Sequence, residues 1–105
     1  MKEIVYISAP YTKGDVAINV KRVIDVADKL LELGYIPFVP HLTHFWHIIS
    51  PKPYKVWVEI DEAFIPFCSK MLRLDGESNG ADNEVELAKK LGIPVYYSIK
   101  ELERV

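Results

Sequence analysis

Residues 70–97 read KMLRLDGESNGADNEVELAKKLGIPVYY, and the order of parts in this stretch decides the fold. Lys70 to Leu74 is a short apolar run that reads as a strand. Asp75 to Gly80 is a turn of small and polar residues. Ala81 to Leu91 has helical spacing, Gly92 closes that helix, and Ile93 to Tyr97 reads as another strand. Strand, helix and strand in succession imply a parallel pair, because the chain must cross back over the sheet before it can pair again.

Working outward, the same alternation continues. Ile4 to Ile7 is a buried strand ended by Ala9-Pro10, and Thr12 to Asp15 is a turn in which Asp15 is placed to cap a helix. Val16, Val20, Val23, Ile24, Ala27, Leu30 and Leu31 form one apolar stripe, and Gly34 stops that helix. Tyr35 to Val39 is a second strand. Pro40 to Pro53 reads as a long structured loop holding His41, His44 and His47. Tyr54 to Phe64 is a helix ended near Pro66, and Ser98 to Arg104 a short last helix. The sequence predicts an α/β fold: a parallel sheet of about four strands with helices on both faces. Ligands of such sheets lie beyond the carboxyl ends of the strands. Those ends run here into Ala9–Asp15, Pro40–Pro53 and Asp75–Asp82.

The 105 residues are one domain's worth, so residues 1–105 are read as a single domain. Half the residues are hydrophobic and the net charge is −2, which leaves no basic excess for binding a nucleic acid polymer. One cysteine, Cys68, excludes an internal disulfide framework. The opening MKEIVYISAPY lacks the apolar stretch of a signal peptide, and no run is long enough for a membrane span, so a cytoplasmic protein is expected.

One acidic residue disobeys its helix. With Ala81 at 0° and ~100° per residue, the apolar arc of Val85, Ala88, Leu91 and Leu87 centres at about 320°, and Glu84 falls inside it at about 300°. Burying a carboxylate is costly unless it is paired or functional. Near a helix N-terminus it stays ionised while shielded, which suits a nucleophile. The plainer alternative has Glu84 at the rim, reaching water or a lysine. Asp61 lies on the edge of its own helix's apolar arc, beside Trp57 and Phe64. Aromatic neighbours raise a carboxyl group's proton affinity and favour acid–base work, although an ordinary helix-flank aspartate fits the same position. In the turn, Ser78 can cap the helix or bind a ligand oxygen, and Gly80 lets the backbone approach one; a plain capped turn is the alternative. The three histidines admit a metal reading, but no cysteine or acid accompanies them. Phe45, Trp46 and Trp57 form an aromatic wall that suits a stacked nucleobase, a core or an interface.

Val5-Tyr6-Ile7-Ser8-Ala9-Pro10-Tyr11, the Asp61 helix, and Ser78-Asn79-Gly80-Ala81-Asp82-Asn83-Glu84 followed by Ala88 and Gly92-Ile93-Pro94-Val95 together resemble a short member of the nucleoside 2-deoxyribosyltransferase superfamily. The resemblance implies a flavodoxin-like or Rossmann-like fold. It implies cleavage or transfer at the N-glycosidic bond of a 2-deoxyribonucleoside or its 5′-monophosphate, with no cofactor. It makes Glu84 the nucleophile, Asp61 the acid/base or sugar-binding residue, and Tyr6 its first-strand tyrosine. Substrate contacts are expected from Ser78, Gly80 and Asp82, from Ala9, Pro10, Tyr11, Thr12 and Asn19, and from His44, Trp46 and Trp57. It also implies a homodimer or larger homo-oligomer with a shared active site. Two alternatives stand beside it: a non-catalytic nucleotide-binding or assembly module of the same fold, and a metal-binding protein using His41, His44 and His47.

Overall fold

The computed structural model describes residues 2–103. Four parallel strands, β1 (Ile4–Ser8), β2 (Ile36–Phe38), β3 (Lys70–Arg73) and β4 (Val95–Tyr96), lie in the order β2-β1-β3-β4. Tyr6 stands opposite Phe38 on one side and Met71 on the other, and Ser8 stands opposite Arg73. β1 is buried on both faces, which is why it reads as a continuous apolar run.

Helices cover both faces. Val5, Ile7 and Leu72 pack against Val23, Ala27 and Leu30 of α1 (Val16–Glu32) and Leu102 of α5 (Ile99–Glu103). Tyr6 and Met71 face the other way, onto Ile65, Cys68, and Val85 and Ala88 of α4 (Asn79–Lys90). α3 (Tyr54–Phe64) flanks α4 on this second face, with a 3₁₀ turn, Ile65–Phe67, following it. This is the α/β parallel sheet that the alternation predicts.

Caps fix the helix ends. Asp15 accepts from the backbone N–H of Ile18, and Ser78 from that of Ala81. α4 therefore begins two residues before the expected Ala81, because the Ser78 cap draws Asn79 and Gly80 into its first turn. β2 and β4 are shorter than expected, and the expected end of the last helix, Arg104, lies outside the described residues.

The main correction concerns residues 40–53. They are not an irregular loop: Pro40–Leu42 forms a 3₁₀ turn and Thr43–Ile49 a short helix, α2. Pro40 sits at the start, where its fixed φ suits helical backbone, and Thr43 Oγ1 donates to the Pro40 carbonyl at 2.9 Å. α2 buries none of its residues, and at seven residues it is too short for its spacing to mark it as a helix.

Candidate active site

Side chains two apart on a strand share a face, so Tyr6 and Ser8 of β1 both point toward α4. Glu84, in the second turn of α4, meets them. The Tyr6 hydroxyl donates to Glu84 Oε2 at 2.5 Å, and the Ser8 hydroxyl to Oε1 at 2.7 Å. Each carboxylate oxygen thus receives its own donor, and both donors are fully buried in the sheet. Burial pushes the Glu84 carboxyl upward, while the Tyr6 and Ser8 hydroxyls oppose it by favouring the anion; Glu62 raises it and Arg73 lowers it. The Tyr6 phenol is driven far above its ordinary range, first by burial and then by the charges of Glu84 and Asp61. Tyr6 therefore stays protonated and serves only as a donor to Glu84.

Asp61 of α3 faces the same cleft in a different state. Its Oδ1 is buried and has no hydrogen-bond partner among the described residues. Its carboxyl is pushed up to about 7, by burial first, then by Glu84, then by Glu62. The two acids sit in unequal surroundings: both Glu84 oxygens accept hydrogen bonds that favour its anion, whereas Asp61 has one oxygen without a partner and a carboxyl pushed up to about 7.

The cleft between these elements has a volume of about 470 Å³, within the range of small-molecule sites. Glu84, Asp61, Ala9, Tyr11, Thr12, Ser78, Gly80 and Trp57 line it. Six other expected site residues do not line it. Pro10 is buried and its carbonyl accepts from His41 Nε2 at 2.9 Å. Asn19 holds the β1–α1 loop instead, donating to the carbonyls of Tyr11 and Lys13 at 2.9 and 2.8 Å. Asp82 turns away to Arg73 at 3.0 Å, because one step along α4 from Ala81 leaves the inward arc. His44 sits behind Tyr11, its Nδ1 2.7 Å from that hydroxyl. Trp46 packs edge-on against Trp57 from outside, with ring centroids 5.1 Å apart. Tyr6 supports Glu84 from within the sheet and does not line the cleft itself.

Reading the sequence did not assign His41, His47, Tyr54 or Asn83 to the cleft wall, yet all four line it. Tyr54 has a local signal: a Cβ on Gly80 would stand 2.6 Å from its hydroxyl, so glycine there leaves room for the tyrosine over the start of α4. The three histidines take separate partners: the Pro10 carbonyl, the Tyr11 hydroxyl and the Trp57 indole N–H. Among the described residues no group of three or more His, Cys, Asp or Glu is placed to hold a metal ion, so the three-histidine metal alternative has no geometric support.

Residues 3–98 match a family described as a domain of unknown function, DUF7768. The chain belongs to that family. Among curated proteins no sequence matches. Among solved structures, a 2-deoxyribosyltransferase from the psychrotolerant bacterium Bacillus psychrosaccharolyticus is similar, with a TM-score of 0.66 and 19% identity, over 88% of this chain and 69% of that one. At this identity the likeness establishes a shared fold. The DUF7768 match spans β1 through β4, and so takes in every element that frames the cleft. What that cleft holds is a carboxyl group hydrogen-bonded at both oxygens beside a second, more weakly supported one.

Proposed function

We propose that this chain breaks the N-glycosidic bond of a 2-deoxyribonucleoside or its 5′-monophosphate and passes the sugar to a second base or to water. The observation that carries the reading is that Glu84, held at both oxygens by Tyr6 and Ser8, lines the same cleft as Asp61, one of whose oxygens is buried without a partner. The similarity in fold to a 2-deoxyribosyltransferase supports it.

In the first step a Glu84 oxygen attacks C1′ as the C1′–N bond breaks. The bonding pair leaves with the base, and Asp61 gives its proton to that base directly or through water. The sugar is then held as an ester of Glu84. In the second step an incoming base nitrogen or a water attacks C1′ and loses its proton to Asp61, and Glu84 is released as the anion. Two carboxyl groups each used twice, the nucleophile on one face of the sugar and the acid–base group on the other, parallel retaining glycosidases. Tyr6 and Ser8 hold Glu84 in place, and Trp57 offers the base an apolar wall. Whether water or a base takes the sugar depends on access to the intermediate.

The substrate is a small molecule in this reading, and the setting is the cytoplasm; among the described residues no helix is long and apolar enough to cross a membrane. A homodimer or larger assembly completes the site, with a second copy covering α2. Phe45, Trp46, Ile48 and Ile49 of that helix are each at least half exposed, next to the cleft.

Incubation with a panel of deoxynucleosides and their 5′-monophosphates, with and without a free acceptor base, tests the proposal. Base release or exchange is expected, and Glu84→Ala should abolish it while leaving the circular dichroism spectrum unchanged. A panel with no turnover, together with tight nucleotide binding, would support the non-catalytic module instead.

A further inference from the structure

We infer that His47 reads the base: locked in one tautomer, it donates a hydrogen bond from Nε2 to an acceptor atom of a nucleobase in the cleft. The identity of the ligand rests on the N-glycosidic reading above. The donor role rests on the surroundings of the imidazole.

Two N–H groups are directed at His47 Nδ1. The Trp57 indole Nε1 lies at 2.9 Å and the Lys52 backbone nitrogen at 3.3 Å. Neither has a lone pair to give, so Nδ1 is the acceptor and the neutral ring carries its hydrogen on Nε2. That Nε2–H has no acceptor among the described residues, and it is not sealed from solvent. His47 lines the cleft, and in this inference the unclaimed donor lies on its cleft side. The lock is firm because Trp57 is only 7% exposed, with Trp46 and His47 both packed edge-on against its ring.

The other histidine of the wall is set the opposite way. His41 Nε2 faces the Pro10 carbonyl, which only accepts, so His41 has spent its hydrogen and offers the cleft a bare Nδ1. Burial holds His41 in that neutral form. Of the two histidines lining the cleft, His47 is the donor.

Its place in the fold suits the leaving group. Trp57 precedes Asp61 by one turn of α3, so His47 stands on the Asp61 side, where the base departs. As the C1′–N bond breaks, electron density accumulates on the base, and a preset donor at a ring nitrogen or carbonyl grips harder. The ligand class is therefore a nucleoside whose base presents an acceptor to this wall.

The test uses binding, so that it does not depend on turnover. In a Glu84→Gln background, calorimetric titration with the deoxynucleoside panel should give Kd values that rise about 10-fold or more with His47→Leu. His47→Gln should stay within about 3-fold, since its amide oxygen accepts from Trp57 while its amide hydrogens face the cleft. Nitrogen-15 spectra of the labelled histidines should show the His47 proton on Nε2, with that resonance moving when nucleoside is added. Equal affinities for His47→Leu and the His47 protein, or the proton on Nδ1, would overturn the inference. So would the failure of every deoxynucleoside to bind. Nucleosides that bind through His47 but are never cleaved would refute the bond-breaking reading and leave this one standing.

Discussion

Replacing Asp61 with asparagine should make the protein more stable and far less active, and the stability gain should depend on pH. The carboxyl rises from 3.8 to about 7 on folding. A raised carboxyl binds protons more tightly in the folded state, so its contribution to stability is intact below pH 3.8 and is lost as pH climbs through 7. At 1.36 kcal/mol per pH unit the full penalty would be about 4 kcal/mol, and Asp61 is partly exposed, so roughly half, about 2 kcal/mol, is expected. Asparagine keeps the shape and removes the charge. Against the Asp61 protein, Asp61→Asn should show no gain near pH 4, a growing gain between pH 4 and 7, and a plateau above. In a domain of this size about 2 kcal/mol raises Tm by roughly 8 °C or more. Denaturant melts at pH 4, 6 and 8 measure this, and base release measured alongside should fall about 100-fold or more. A stability difference that is flat with pH, or that reverses at pH 8, would refute the assignment of Asp61 as the buried, proton-exchanging acid.

Two further outcomes follow from the supports of the site. Tyr6→Phe removes the donor to Glu84 Oε2, so Glu84 should bind its proton more tightly; the acid limb of the kcat/KM profile should move to higher pH, and the neutral-pH value should drop about 10- to 100-fold. Gly76 has φ +118° and a Cβ there would lie 2.9 Å from the rigid ring of Pro10. Gly76→Ala should therefore cost roughly 1–3 kcal/mol, read as a lower urea midpoint.

The parallel sheet was legible because each strand is a short apolar run between turns, and because strands separated by helices must cross over the sheet to pair again; the order of the strands was not read. Glu84 stood out because a charged residue on an inward arc breaks a pattern that Ala81, Val85 and Ala88 keep. Asp61 was harder: its position beside Trp57 is common for a surface acid, and only the fold reveals that its Oδ1 is buried without a hydrogen-bond partner. α2 was not legible, because it is only seven residues long and Phe45, Trp46, Ile48 and Ile49 are turned to the surface instead of into the core. Asp82 and Asn19 were read toward the ligand only from their nearness to the sheet edge where it binds. Arg73 in one case and two loop carbonyls in the other claim them, and such partners are invisible before the chain is folded. His47 shows the same limit, since its tautomer is decided by an indole ten residues away.

Glu84 is anchored to the central strand, whereas the wall opposite is built by the short segment between Val39 and Tyr54. In the proposed reading, reaction and choice of substrate thus rest on separable parts. A library randomised only across that segment should yield variants with altered preference that still carry the bond-breaking group in its original seat, which makes this small scaffold a practical starting point for retargeting.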